Sequence, residues 1–341
     1  MTRNYLITGG AGFIGSNYVA RLIERGESIT IFDNLSRPGS HFNIDWLNRI
    51  NKNAFQLINA DIRDKKALDL AVNDKDVIVH LAGQVAVTTS VLNPQDDFEI
   101  NAQGTFNVLE AARKAEKKPI ILYSSTNKVY GGMDEIQVVE NETNYRYQDF
   151  PYGISEKFPL DFHSPYGCSK GSGDQYVRDY FRIYDLPTVV LRQSCIYGPR
   201  QFGMEDQGWL AWFIIAVLTG KNISIYGNGK QVRDVLYVDD LLDAYDLCID
   251  RINDVAGEVF NIGGGPGQML SIWKEFSLFL EEMTGEKIPV KWGDWRPGDQ
   301  KIYVSDIRKA QKHLGWNPKV SVKDGLQYLF DWARKNVDLF S

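Results

Sequence analysis

The sequence predicts an α/β protein, a doubly wound parallel sheet with helices on both faces, joined to a smaller mixed α/β lobe on its C-terminal side. Three observations predict it. Short apolar runs alternate with helix-length segments through residue 191, the pattern of strands joined by crossover helices. The first apolar run passes into a glycine-rich turn and then an amphipathic segment. From about residue 192 the alternation turns irregular and rich in Gly and Trp, which marks a change of architecture.

Residues 5–8, Tyr-Leu-Ile-Thr, read as a short buried strand. Gly9, Gly12 and Gly15 follow, with Phe13 and Ile14 between the last two, and a helix then runs to about Arg25. Glycines so placed allow a tight turn, backbone contact with a pyrophosphate and close packing of helix on strand. The pyrophosphate would sit at the helix N-terminus, where free N–H groups and the macrodipole favour anions. The spacing is Gly-x-x-Gly-x-x-Gly, so the flanking strand and helix strengthen the reading. A second strand, 28–32, ends at Asp33. A carboxylate there can accept both adenosine ribose hydroxyls and would repel a 2′-phosphate, which favours NAD over NADP. Asn34, Ser36 and Arg37 complete this edge, and Arg37 is the residue that would pair with such a phosphate.

Further strands are expected at 55–58, 76–80, 119–123 and 187–191, with helices notably at 101–117 and 171–184, and residues 235–260 returning to the sheet. Ligands on such sheets bind beyond the carboxyl ends of the strands. Asp61 and Ile62 lie there, as do Leu81, Ala82, Gly83 and Gln84, then Ser124, Ser125 and Thr126. The expected division is a dinucleotide-binding domain at 1–191 and 233–262, and a substrate lobe at 192–232 and 263–341.

Tyr166 and Lys170 are four residues apart, hence on one face of a helix. A phenol titrates near pH 10 and is a poor base at neutrality. An ammonium one turn away, and an oxidised nicotinamide, would both favour the phenolate. Bringing it to about 7 needs roughly 4 kcal/mol of differential stabilisation. Such a phenolate can take the proton of a hydroxyl while hydride leaves the same carbon.

The bulk numbers narrow the class. Hydrophobic content of 43% and charged content of 24% are ordinary globular values. A net charge of −6 argues against nucleic acid as a partner. No apolar run approaches the ~20 residues that span a bilayer, and no secretory signal opens the chain. Cys168, Cys195 and Cys248 are widely spaced, and the four histidines are scattered. The expectation is a reducing, cytoplasmic setting with no metal, membrane or nucleic-acid partner.

Taken together, these motifs resemble the extended short-chain dehydrogenase/reductase family of nucleotide-sugar epimerases and dehydratases. The likeness extends through Asn101-Ala102-Gln103-Gly104-Thr105, Tyr197-Gly198-Pro199-Arg200-Gln201, the segment Gly227 to Asp234, Asn261-Ile262-Gly263-Gly264 and Arg296-Pro297-Gly298-Asp299. The resemblance implies a Rossmann-type fold. It also implies that Tyr166 is the base, that Thr126 hydrogen-bonds the reacting oxygen, and that Lys170 grips the nicotinamide ribose and tunes the tyrosine. Arg233 and Arg296 would hold a nucleotide diphosphate, a role suited to the planar guanidinium fork. The family's dehydratases carry Thr-Asp-Glu where this chain has Thr126-Asn127-Lys128. Neither an amide nor an ammonium replaces those carboxylates, so redox epimerisation is the expected chemistry.

Segments 125–131, 160–171 and 206–209 resemble one subfamily, the CDP-tyvelose (CDP-paratose) 2-epimerases. That likeness implies C-2 epimerisation of a CDP-hexose, CDP-paratose to CDP-tyvelose and by extension CDP-glucose to CDP-mannose, with tightly bound NAD. The hexose would meet Gln84, Thr126, Asn127, Lys128, His163 and Gln207; Lys230, Gln231 and Asp299 would help hold the nucleotide. Cys195 stands where many relatives have asparagine near the substrate phosphates. His163 reads first as a residue ordering the loop before Pro165. By analogy with relatives a homodimer or homotetramer is expected. Two other readings stay open: a 4-epimerase of a UDP- or CDP-sugar, and a non-catalytic dinucleotide-binding protein.

Overall fold

The computed structural model describes residues 2–295 and 300–340. The chain divides into two compact units. The first comprises Met1–Val129, Phe162–Arg192 and Leu242–Phe260, and the second Tyr130–Asp161, Gln193–Leu241 and Asn261–Ser341.

In the first unit β1 (Asn4–Thr8), β2 (Ser28–Asp33), β3 (Phe55–Asn59), β4 (Val77–His80) and β5 (Ile120–Thr126) join strands Thr188–Gln193 and Val259–Ile262. Among the described residues they form a seven-stranded sheet, ordered β3-β2-β1-β4-β5, then Thr188–Gln193, then Val259–Ile262. β1 pairs in parallel with β2 on one side and β4 on the other, placing Ile7 beside Ile31 and Val79. Leu6, Ile7, Ile31, Ile78, Val79, Ile121 and Leu122 are wholly buried. Continuous apolar runs become such strands because helices cover both faces of the sheet. The sheet is the doubly wound α/β fold expected, and the strands begin and end within three residues of their expected bounds.

After β1 the chain builds β2 and β3 outward, then crosses back to place β4 on the opposite side of β1. Ligand sites of doubly wound sheets form at that reversal. The loops following β1 and β4 therefore occupy the position where a dinucleotide is expected.

Three local outcomes differ from the periodicity. The helix carrying Tyr166 and Lys170 spans Ser164–Tyr184, starting earlier than 171 because Pro165 sits in its first turn. The expected helix at 101–117 splits into a π-helical turn, Phe98–Gln103, and an α-helix, Gly104–Lys114. Within 235–260 the return to the large sheet is made only by Val259–Ile262 at its end; strand Val232–Tyr237 pairs elsewhere.

That strand organises the second unit. Among the described residues it lies in a four-stranded sheet, antiparallel to Met269–Ser271 and parallel to both Ile302–Tyr303 and Cys195–Tyr197. Ile223–Tyr226 and Val290–Gly293 form a separate parallel pair. Trp209 packs edge-on against Phe213 and Phe276, as its apolar setting on a helix suggests.

Candidate active site

The turn after β1 is shaped by what glycine lacks. Gly9 has φ +72, and a Cβ there would lie 2.7 Å from the Ala82 amide nitrogen, so only glycine lets this loop meet the loop after β4. A Cβ on Gly15 would lie 2.3 Å from the Gly9 carbonyl oxygen and 2.6 Å from Gly10 Cα. Gly12 is different. It caps α1 (Phe13–Glu24), and its nearest neighbour to an added Cβ is the Gly9 oxygen at 3.2 Å. Packing alone does not demand glycine at 12. Its effect is to leave the helix N-terminus bare, with no side-chain cap and no acidic residue in the first turn. A bare N-terminus with its orphan N–H groups suits a pyrophosphate, so the residues present fit a dinucleotide.

Asp33 ends β2 and clamps this turn. Its carboxylate accepts from the Ala11 amide at 3.0 Å and the Leu35 amide at 2.8 Å. Burial raises its pKa and those two bonds oppose the rise. Each carboxylate oxygen retains acceptor capacity for a ribose hydroxyl, so this clamp leaves room for the expected cofactor contact. Asn34 donates to Asp61 at 2.9 Å, and Ser36 donates to the Asn34 side chain. Arg63 also holds Asp61 from two of its nitrogens, at 2.8 and 2.9 Å, and draws that carboxyl down to about 2. Ile62 packs where a Cβ on Gly104 would fall, fixing the closeness of that helix to β3's exit.

Tyr166, Thr126 and Lys170 come together on the first unit. Tyr166 and Thr126 share a side-chain hydrogen bond, and the Thr126 hydroxyl also accepts from the Lys128 amide at 3.2 Å. Lys170 donates to the Ser124 carbonyl at 2.6 Å and lies 4.3 Å from the Tyr123 ring centre. Two further ammonium donors remain for a ribose. Asn127 is buried beside Thr126.

Within the protein alone, burial governs the electrostatics of Tyr166 and Lys170. Burial pushes the phenol up, to about 12, against the Thr126 hydrogen bond and the charge of Arg37. Burial likewise brings Lys170 down, to about 7, against the nearby carboxylates Asp174 and Asp97. Desolvation therefore dominates both groups. Half-buried Arg37, considered at first as a phosphate partner, bears electrostatically on Tyr166.

Gln84 and Asn101 lock the loop after β4. Asn101 accepts from the Gln84 amide at 3.0 Å and donates to its carbonyl at 2.9 Å. The same Asn101 oxygen would lie 2.9 Å from a Cβ on Gly83. The Gln84 side chain bonds Ala86 and Asp97. His163 is exposed and makes no hydrogen bond among the described residues. The expected loop-ordering role thus has no bond to carry it. Instead Ser164, at φ 66, accepts from the Gly167 amide at 3.2 Å and sets the turn into the helix.

The remaining proposed contacts belong to the second unit. Arg233 is buried and donates to the Val232 and Gln300 carbonyls at 2.8 and 2.9 Å. Lys230 pairs with Glu140 at 2.8 Å and also reaches the Asn141 carbonyl. Gln231 donates to the Tyr226 carbonyl at 2.7 Å. Cys195 is half-buried opposite Val235, and Gln207 forms an isolated bridge with Met204. Arg296 and Asp299 lie outside the described residues. Among the described residues no cluster of three or more His, Cys, Asp or Glu could hold a metal ion, and no helix is long and apolar enough to cross a membrane.

A family model described as GDP-mannose 4,6 dehydratase matches residues 6–329. The chain belongs to that family, the extended short-chain dehydrogenases/reductases. It is 45% identical to the CDP-paratose 2-epimerase of Salmonella typhi, over 96% of this chain and 98% of that protein. The UDP-glucose 4-epimerase of Thermotoga maritima, solved with UDP-glucose, superposes with a TM-score of 0.83 at 33% identity, covering 98% of this chain and 99% of the other. The UDP-glucuronic acid 4-epimerase of Bacillus cereus, solved with UDP-glucuronic acid and NAD, gives 0.82 at 30%, covering 97% and 99%. This is a family of NAD-using enzymes that act on nucleotide sugars.

Within this extended dehydrogenase/reductase frame, sequence reasoning missed a buried chain of hydrogen bonds beneath the turn. Thr105 donates to the Asn101 carbonyl at 2.6 Å, so it accepts from His80 Nε2–H at 3.0 Å. His80 Nδ1 then accepts from the Thr8 hydroxyl at 2.7 Å, whose oxygen accepts from the Leu81 and Ala82 amides. Burial holds His80 neutral, near 3. Asp97, Ser169 and Asp174 were missed as well. The bonds that join Asp97 to Ser169 and Asp174 to Ser125 span long stretches of chain, so no local spacing signals them.

Proposed function

We propose that this enzyme inverts C-2 of a CDP-hexose, CDP-paratose to CDP-tyvelose, by transient oxidation to a 2-keto sugar. The observation that carries this reading is the Tyr166–Thr126 hydrogen bond above Lys170, with Asn127-Lys128 next in sequence and no carboxylate at either position. Such a site can move a proton on and off a hydroxyl but lacks, at those two positions, the acid and base that dehydration needs. The 45% identity to a CDP-paratose 2-epimerase supports the choice of carbon and nucleotide.

A tightly held NAD would supply the hydride acceptor and donor for C-2, and the chain's own residues would do the rest. Tyr166 as phenolate removes the O-2 proton as the hydride leaves, and gives the proton back when the hydride returns. Thr126 orients the oxygen through its hydroxyl. Lys170 spends one donor on Ser124, which leaves the others for a ribose. The cofactor would be held by Gly9, Gly12, Phe13, Ile14 and Gly15 at the turn and Asp33, Asn34, Ser36 and Arg37 at the adenosine end. Asp61 and Ile62, the segment Leu81 to Gln84, Asn101 and Ser124 would line the rest. The sugar must turn over while its nucleotide stays, so binding energy belongs on the diphosphate. Arg233 and Arg296, with Lys230, Gln231 and Asp299, are assigned to it. Gln84, Asn127, Lys128, His163, Cys195 and Gln207 are assigned to the sugar side. A cytoplasmic homodimer or homotetramer accords with this assignment.

A 4-epimerase is the second reading, favoured by the superposition on two 4-epimerases of solved structure. Incubation of the purified protein, without added cofactor, with CDP-hexose deuterated at C-2 separates the two by NMR. Inversion at C-2 with the deuterium retained is the expected result. Inversion at C-4 contradicts the choice of carbon and leaves the redox mechanism. No reaction with CDP- or UDP-hexoses contradicts both, in favour of a non-catalytic dinucleotide-binding protein.

A further inference from the structure

We propose that Asp97 is a positioning residue of this site: its carboxylate keeps Lys170 protonated, and Ser169 ties that carboxylate to the backbone of Tyr166. Two carboxylates, Asp97 and Asp174, bear on Lys170, and both are fully buried. Their own partners separate them. Asp174 is gripped by the Arg192 fork at 2.9 Å from each of two nitrogens, and Ser125 donates to it at 2.7 Å. It has a cationic partner of its own, though it still bears on Lys170, more than Asp97 does. Asp97 accepts only from neutral donors: Gln84 Nε2 at 3.2 Å, Asn101 Nδ2 at 3.0 Å and the Ser169 hydroxyl. Among the described residues it has no ion-pair partner. Neutral donors stabilise an anion in a low-dielectric interior without cancelling its field. That field falls on Lys170.

The geometry around Asp97 is itself built for this. Asp97 ends the short helix Pro94–Asp97, and the π-helical turn Phe98–Gln103 follows directly. Such turns are rare and gather at functional sites. Here it brings Asn101 back onto Asp97, while Ser169, one residue before Lys170, reaches both the Asp97 carboxylate and the Tyr166 carbonyl. The other charged or titratable groups facing the pair are few. Tyr123 of β5 lies under Lys170, His80 of β4 stays neutral, Asp174 is paired on the same helix, and Arg37 after β2 bears on Tyr166. Of the two carboxylates, Asp97 is the one held by neutral donors alone.

Asp97 bears on both Tyr166 and Lys170. A negative charge nearby raises both. Its removal must lower both, whereas a packing defect that admits water would lower the phenol and raise the ammonium. Asp97→Asn is a close test because the amide can keep every bond. Its oxygen accepts from Gln84 and Asn101, its NH2 donates to Ser169, and the Ser169 hydroxyl turns to the Tyr166 carbonyl 3.2 Å away. Asp97 matters to turnover only if Tyr166 and Lys170 carry the reaction proposed above, so the first readout is independent of substrate. The protein is labelled with lysine carrying carbon-13 at Cε, and Lys170 is assigned with Lys170→Met. Its titration is then followed in wild type, Asp97→Asn and Ser169→Ala. The midpoint should fall by about one pH unit in Asp97→Asn and should not fall in Ser169→Ala, where the carboxylate remains. The second readout is the pH profile of turnover, whose two limbs should both move to lower pH in Asp97→Asn. An unchanged Lys170 midpoint in Asp97→Asn, or a lowered one in Ser169→Ala, overturns the role of the charge. A moved midpoint with unmoved limbs leaves the charge in place and overturns the assignment of Tyr166 and Lys170 instead.

Discussion

Two neighbouring regions of the first unit are built on opposite principles. The turn after β1 is made of absences: no Cβ at Gly9 or Gly15 where backbone would collide with it, and no cap on α1. The floor beneath Lys170 is made of presences: Asp97, Asn101, Ser169, Asp174 and Arg192, each buried and bonded. A region built on shape fails when something is added. A region built on charge fails when a proton or a partner is changed. The difference also bears on the proposed roles, in which one region would receive an anion and the other would set the protonation of the groups that react.

The largest effect is expected where the floor meets the reacting atoms. Tyr166→Phe removes the hydroxyl that shares a bond with Thr126 and should cut turnover by about 10²–10⁴-fold. NAD content, read after denaturing extraction, should stay at the wild-type level. Near-normal turnover in this variant would mean the base is elsewhere.

The turn is broken differently at each glycine. Gly9→Ala adds a left-handed strain of about 1–2 kcal/mol to a clash with the Ala82 backbone. It should lose both thermal stability and bound NAD. Gly12→Ala meets only one protein atom, at 3.2 Å, and should keep its stability to within about 1 kcal/mol while losing NAD. Equal stability losses in the two variants would show that packing, rather than access to the helix end, demands glycine at 12.

A smaller effect links the regions through His80. Its folded value near 3 lies below the ordinary 6.5. Between the two, the unfolded chain binds a proton that the folded chain excludes, so stability rises with pH in that window and is lost on acidification. The slope from this residue is roughly 1 kcal/mol per pH unit. His80→Gln keeps one donor and one acceptor for Thr105 and Thr8, and urea unfolding between pH 6.5 and 4.5 should show a shallower acid loss than wild type. Parallel curves would mean that His80 does not carry that acid dependence.

The same contrast explains what the sequence disclosed. The strands were legible because each is a short apolar run buried on both faces, as at Val77–His80. The turn was legible because steric necessity leaves glycines at fixed spacing, and Tyr166 and Lys170 because one helix carries both. The floor was hidden. Asp97 meets Ser169 72 residues away, and Ser125 meets Asp174 across 49; no local pattern encodes either. The raised Tyr166 and lowered Lys170 were equally hidden, since burial outweighs the attraction that spacing suggests. Val232–Tyr237 was misplaced because an apolar strand does not announce which sheet it joins.

The central claim is that the hydride leaves and returns to one sugar in one site. A crossover experiment tests it most directly. Equal amounts of CDP-hexose deuterated at C-2 and CDP-hexose uniformly labelled with carbon-13 are turned over together, and the products are weighed by mass spectrometry. The account predicts inverted sugars carrying deuterium or carbon-13 but not both. Sugar carrying both labels would mean that hydride passes between molecules, and would contradict it.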